Sequence, residues 1–485
     1  KYALKAMNDF SRLYFGEDIP IDMVKFKKFF ELPRTLSEED KRTKILQNKL
    51  FYLKNLDLND LEVKKKIGDL FFNSDFDFFE INNGQKFNAL GQKIKNDHNE
   101  IAISAQNQSL NIIENQIQYP NILAIKNIQN KLQNDDNKKF TLKQIQKENE
   151  TSFIRCVGLT IETKSDFGKL YHGNLMLDLG CTRVEIGIQS IYDEVLEATN
   201  RGNTVADNIE SIRILKDLGF KINGHYMPGL PLTTKEMDLN GLKHLFENPD
   251  YMPDMLKVYP CMVMEGTRLY EDWKSGKFIP LTTKEAAEII AEAKKFVPKW
   301  CRIMRVQRDI PSNIISAGVD RTNLRQYVNI LCKEKNIICK CIRCREVGFY
   351  LKNKKIDFNK IQITTAEYEA SNGKEFFIAA EDLQNDVLFG YCRLRFPSQF
   401  LRMEITKDSA LIRELHVFSS SVQIGKKDNN SFQHRGIGKS LLAEAETVAK
   451  QNNKDKMVII SGIGAREYFR KLGYELEGVY MVKKL

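Results

Sequence analysis

The chain has 485 residues, 42% hydrophobic and 28% charged. That exceeds what one core serves, since single cores stop growing at roughly 250–300 residues, so two or three domains are expected. No stretch approaches the roughly 18 apolar residues of a membrane span and no secretory leader opens the chain, which leads to an expectation of a cytoplasmic protein. The net charge of +10, from 74 Lys and Arg against 64 Asp and Glu, suits a polyanionic partner such as nucleic acid and equally a plain basic surface. The chain starts at Lys1 rather than Met, so a fragment is one reading.

Residues 1 to about 150 contain no cysteine, and 81–150 hold 24 Asn or Gln in 70 residues. Such a bias supplies little apolar surface to bury, so residues 11–146 read as a polar insertion, disordered or loosely helical. From Arg155 to Pro311, short β-rich runs alternate with helical periodicity, the pattern of an α/β fold with a parallel sheet. The strands expected are RCVGLTIET, TRVEIGIQS, KINGHYMPGLP, MLKVYP and RIMRVQRDIP. Their ends carry Glu162, Gln189, His225, Lys257, Arg305 and Gln307, which a βα barrel would gather at one mouth. The helix in TVADNIESIRILKDLG is expected to stop at Gly219 as a C-cap.

Next come Cys339, Cys341 and Cys344, three thiols within six residues that read as metal ligands in a reducing compartment. A tetrahedral site needs a fourth ligand, for which Cys332, Cys392 and His416 are open choices. Around them runs a basic segment of Lys333, Lys335, Lys340, Arg343, Arg345, Lys352, Lys354 and Lys355, extended by Arg302, Arg305, Arg308 and Arg325. Last, the strand ALIRELHVF precedes QHRGIGKS, which opens the amphipathic helix LLAEAETVAK. Gly436 and Gly438 leave backbone N–H groups at a helix N-terminus open to a pyrophosphate, with charge added by Arg435 and Lys439. The strand KMVIISG, the short helix AREYFRKLG and the strand YELEGVYMVKKL close the chain.

Gln433-His434-Arg435-Gly436-Ile437-Gly438 resembles the Q-x-x-G-x-G signature of GNAT acetyltransferases. RELHVF, EYFRKLGY and YMVKKL resemble the catalytic subunit of Elongator, as do GLTIET, GCTRVEIGIQS, ATNRGNTV, MPGLP and GTRLYEDWKSG. The resemblance covers roughly Lys147 to Leu485, and YALKAMNDF resembles a helix preceding that region. It implies a partial radical S-adenosylmethionine (SAM) type βα barrel over 147–330, with residues 1–10 as a remnant barrel helix. A zinc-binding basic linker over 331–365 and a GNAT domain over 366–485 would follow. The implied activity is acetyl-CoA-dependent carboxymethylation of the tRNA wobble uridine, with accessory Elongator-like subunits or a homodimer as further partners. By the family pattern acetyl-CoA would be held by Glu414, Leu415, His416, Val417, Arg435, Gly436, Ile437 and Tyr468, with Tyr468 as the catalytic group.

Departures are specific. Phe469 stands where the family has a second tyrosine, and Lys164 and Ser165 replace Arg and Pro of its I-E-T-R-P-D motif. No cysteine precedes Cys156, whereas the 4Fe–4S triad of the family would fall ahead of Lys1; three thiolates are needed for that cluster. Alternatives to the tRNA enzyme are a protein lysine acetyltransferase and a non-catalytic tRNA-binding scaffold.

Overall fold

A computed structural model describes residues 3–5, 7–8, 141–310, 314–350, 358–418 and 436–485. The chain divides into two compact units, Lys1–Cys156 and Val157–Leu485. In the first, helix α1 (Leu142–Asn149) begins at a reciprocal cap. Thr141 Oγ1 accepts from Gln144 N at 3.2 Å, and Gln144 Oε1 accepts from Thr141 N at 2.8 Å. The tail of the Asn/Gln-rich stretch is therefore regular helix. Asn149 secures it, donating to Asn8 Oδ1 (2.6 Å) and accepting from Cys156 N (2.7 Å). The rest of the expected insertion, residues 11–140, lies outside the described residues.

The second unit opens with five parallel strands in the order β1-β2-β3-β4-β5: β1 (Leu159–Thr163), β2 (Cys181–Gln189), β3 (Lys221–Tyr226), β4 (Met255–Val258) and β5 (Arg302–Arg305). Among the described residues they form an open arc, in keeping with a partial barrel. Four fall within a run expected from the sequence, and β2 starts one residue ahead of its run, at Cys181. Helices α2 (Leu170–Asp178), α3 (Val205–Asp217), α4 (Lys235–Glu247) and α5 (Thr283–Ala293) cover one face. There Val184, Ile186, Ile222, Leu256 and Ile303 form a core with Ile212, Leu215, Leu242, Leu245 and Ile290. Gly219, at φ +93°, ends α3 in the left-handed conformation, as its sequence position predicts. The other face carries Glu185, Asn223, His225 and Lys257.

After helices α6 (Leu324–Glu334) and α7 (Ile342–Arg345) comes a seven-stranded mixed sheet, order β11-β12-β10-β9-β8-β7-β6. Its strands are β6 (Gln362–Ala370), β7 (Gly373–Asp382), β8 (Val387–Phe396), β9 (Ser409–Val417), β10 (Lys456–Ile459), β11 (Glu475–Glu477) and β12 (Tyr480–Lys484). Helices α8 (Ile437–Gln451) and α9 (Arg466–Arg470) complete the domain. One face packs on α8 through Phe376, Ile378, Phe389, Ile412, Leu441 and Ala445. The other packs on the first sheet's lower end, where Trp300 stacks on Tyr368 with centroids 4.5 Å apart. Contacts there are made by residues just before the strands: Phe220 ahead of β3, Asp254 ahead of β4, Trp300 ahead of β5. The two sheets thus meet at the floor of the arc, opposite the mouth.

Candidate functional site

The expected acyl-carrier residues sit where β9 and β10 part. β10 pairs with β9 only from Ser409 to Ile412, and the last bond runs from Ile460 N to Ile412 O (3.2 Å). β8 stays beside β9 as far as Val417. Beyond Ile412, β9 therefore turns one row of backbone groups toward a gap. The divergence coincides with a bulge: Glu414 lies opposite Arg393 and Ile412 opposite Leu394, which leaves Arg413 as the extra residue.

At the end of this gap, α8 begins. Gly436 caps it at φ +78°, with open space where a side chain would stand and no side-chain cap bond. The first N–H groups of α8 are thus available to an anion, with the helix dipole behind them. A Cβ on Gly438 would lie 3.0 Å from Tyr468 Oη and 3.6 Å from Val417 Cγ2, so any larger residue here would press on the phenol. Tyr468 is 41% exposed, and partial burial raises its pKa, so it stays a phenol with a proton to donate. A slot with a backbone edge, a positive helix end and a phenol fits an extended amide chain ending in a pyrophosphate, which is the shape of acetyl-CoA. Arg435 lies outside the described residues.

The bulge sorts the strand's side chains. Leu415 and Val417 pack on the α8 side. His416 points the other way, stacked on Tyr391 (5.6 Å) and against Phe418 (4.7 Å). Although its edge reaches solvent, these rings desolvate the imidazole and Arg302 repels its proton; together they outweigh the Glu414 charge and lower its pKa. Glu414 is buried and bonded to Arg393 Nε at 2.9 Å, so its carboxylate is committed and only its backbone is open to a ligand.

At the mouth, Glu185 holds His225 Nε2 (2.8 Å) and the Lys257 ammonium, while Glu162 lies 3.4 Å from His225 Nδ1. Desolvation opposes ionisation of Glu185, but those two partners overcome it and bring its pKa to about 2. The three acidic and imidazole groups stand close enough to share a cation. The Lys257 ammonium already supplies that charge.

Three family patterns match the chain: the Radical SAM superfamily over residues 124–239, the Radical SAM C-terminal domain over 253–334 and the acetyltransferase (GNAT) family over 348–474. The chain is 47% identical to a solved archaeal Elp3 of Methanocaldococcus infernus with an N-terminal deletion, at a TM-score of 0.68, covering 71% of this chain and 82% of that one. It belongs to the Elongator protein 3 family. Among curated relatives, the tRNA uridine(34) acetyltransferase of Methanocaldococcus jannaschii is 48% identical over 349 residues, which are 71% of this chain and 64% of the relative. Elongator complex protein 3 of Homo sapiens is 42% identical over 341 residues, 70% and 62%. The chain thus spans a little under two thirds of these relatives.

Three of the cysteines lie together. The Sγ atoms of Cys339, Cys341 and Cys344 lie within 4.8 Å of one another, and Lys294 Nζ is 3.8 Å from Cys344 Sγ. Hydrogen bonds from Cys339 and Cys344 lower the pKa of the Cys341 thiol below its usual range. None of Cys332, Cys392 and His416 joins within that reach among the described residues, and Cys392 lies in the separate core under α8. The trio neighbours Cys301, whose carbonyl accepts from Ile342 N (2.9 Å) just ahead of β5. That is the floor end. Among the described residues no cysteine trio lies at the mouth, so these thiols do not fit the cluster of a radical SAM site, and no step is derived through one.

The basic segment is partly corrected. Arg345 is buried against Glu381 and Asp386 and cannot reach an RNA. Arg302 is bound to Glu346 at 2.6 Å, Arg305 to Asp309, and Lys335 to Glu292 at 2.9 Å. Lys333, Lys340 and Arg308 remain exposed. Lys352, Lys354 and Lys355 lie outside the described residues. Arg393, Arg395 and Arg413, the largest fully buried side chains among the described residues, carry no signal that sequence reading picked out.

Proposed function

We propose that this chain is an acetyl-CoA-dependent tRNA acyltransferase acting on the wobble uridine, the activity that its relatives' names describe. The observation that carries the reading is the convergence of the β9–β10 gap, the open N-terminus of α8 and the Tyr468 phenol at Gly438. In this reading β9, from Glu414 to Val417, offers its free backbone edge to the pantetheine amides, and Gly436, Ile437 and Gly438 offer N–H groups to the pyrophosphate, with Arg435 adding charge. Acetyl-CoA, when bound, supplies an activated acetyl group. Tyr468, kept protonated by partial burial, donates a hydrogen bond where charge grows on the thioester oxygen or the departing sulfur.

The Cys339, Cys341 and Cys344 thiols hold a zinc ion that pins α7 to the floor of the arc, three thiolates being a soft donor set. The exposed Lys333, Lys340 and Arg308 contribute phosphate contacts for tRNA. Radical chemistry with SAM and a 4Fe–4S cluster belongs to the family fold, and its thiolates are not provided at this mouth by the described residues. Among those residues no helix is long and apolar enough to cross a membrane, which accords with the cytoplasmic setting of tRNA modification. Accessory Elongator-like subunits or a second copy would complete the assembly.

The test is acetyl-CoA hydrolysis with and without tRNA. Turnover stimulated by tRNA is expected. Turnover that needs a lysine peptide instead would make this a protein acetyltransferase, and failure to bind acetyl-CoA would leave a tRNA-binding scaffold.

A further inference from the structure

We infer that Asp254, a residue of the barrel floor, is a positioning residue for acetyl-CoA: through Arg413 it holds the β9 bulge that keeps the acyl slot open. The inference rests on the acetyl-CoA reading above and extends it to a residue on another sheet.

Arg413 is the extra residue of the bulge, and its guanidinium uses all five N–H donors. Nη1 donates to Phe220 O (2.8 Å) and Asp254 Oδ2 (2.7 Å), and Nη2 donates to Asp254 Oδ1 (2.6 Å) and Glu375 Oε2 (2.8 Å). Nε reaches Glu375 Oε2 at 3.2 Å. Asp254 is itself anchored, since Oδ2 accepts from Ile222 N (2.8 Å) and its carbonyl accepts from Arg302 N (3.1 Å). The fork is therefore clamped to the starts of β3, β4 and β5. Every one of these side chains is buried.

The consequence for β9 follows from register. Without a bulge, β9 would continue its ladder, and the groups beyond Ile412 would be free to pair with the chain after β10, which closes the gap. Turning Arg413 toward the floor costs β9 one residue of register. The bidentate bond to Asp254 is the largest compensation in view, because a desolvated guanidinium without its carboxylate is strongly unfavourable. Arg395 offers an internal comparison. It is equally buried at the same interface and bonded to Asp217 (2.6 Å), but it lies opposite Leu411, ahead of the bulge.

The experiment measures binding rather than turnover, using acetyl-CoA and the 3′-phospho-ADP fragment of coenzyme A, which reaches only the N-terminus of α8. For Asp254→Asn in the full chain, acetyl-CoA should bind about tenfold more weakly while the fragment changes less than about twofold. Asp217→Asn should lower the melting temperature to a similar degree and leave both affinities unchanged. Should Asp254→Asn not fold, Arg413→Lys keeps the charge and loses the fork, and the same pattern is expected of it. Equal weakening of both ligands, or acetyl-CoA affinity matching that of Asp217→Asn, would overturn the proposal. A wild-type chain that binds no acetyl-CoA overturns the underlying reading too, and that result needs no variant.

Discussion

At the scale of single residues, Tyr468 was legible from its motif, and its proximity to Gly438 was not. Because its hydroxyl stands in the slot and its ring is 41% exposed, Tyr468→Phe should cut tRNA-stimulated acetyl-CoA hydrolysis by roughly 10²-fold and move the melting point little. Steady-state kinetics beside thermal melts check this. Asp238 gives a pH-dependent prediction that no sequence signal suggested. Its carboxylate is buried, one oxygen accepts from Gly229 N at 2.7 Å, and the other has no hydrogen-bond partner. Desolvation lifts its pKa from 3.8 to about 7. Between those values the folded protein holds a proton that the unfolded chain has lost, so this group's contribution to stability falls as pH rises through the window and levels off above it. Asp238→Asn cannot ionise. Melts at about pH 5 and pH 8 should show the variant gaining on wild type at the higher pH, by at most about 3 kcal/mol; a gap independent of pH would refute this.

At the scale of elements, the five parallel strands and α8 were readable because each carries its own period and punctuation, as with Gly219 after α3 and Gly436 before α8. β6, β7 and β8 were not. Of these, β7 and β8 are buried on both faces, which erases the alternation that betrays a strand, and their charges at Glu375, Arg393 and Arg395 look like surface in one dimension. The close packing of α8 on Tyr468 predicts that Gly438→Ala, whose Cβ meets the hydroxyl at 3.0 Å, weakens acetyl-CoA binding with no large change in helix content by circular dichroism. For the segment around α7, Cys341→Ser should abolish bound zinc in metal analysis and lower the melting temperature, since a buried thiolate ligand is lost. Retention of one zinc per chain would rule out the three-thiol site.

At the scale of the molecule, the acyltransferase sheet is built against the barrel floor and shares its charges. Arg393, Arg395 and Arg413 are fully buried, and besides Glu375 and Glu414 of their own sheet they pair with Asp217, the last residue of α3, and Asp254, just ahead of β4. A chain restricted to residues 358–485 would keep Glu375 and Glu414 but lose Asp217 and Asp254, leaving three guanidinium groups with two carboxylates on an exposed face, so it should aggregate or melt well below the intact protein in calorimetry. The proposed tRNA surface is a second property of the whole. Replacing both Lys333 and Lys340 by Ala should weaken tRNA binding and flatten its logarithmic salt dependence by about 1.5.

Fold class, the order of the two sheets, the glycine turn ahead of α8 and the cysteine trio were determined by the sequence alone. Each depends on neighbours within a few residues, where period, glycine placement and ligand spacing leave a direct trace. Which arginines are buried, which basic residues stay exposed and where β9 bulges were decided only by the tertiary structure. A charge's worth depends on the partner and the solvent around it, and Arg413 meets Asp254 across 159 residues of chain.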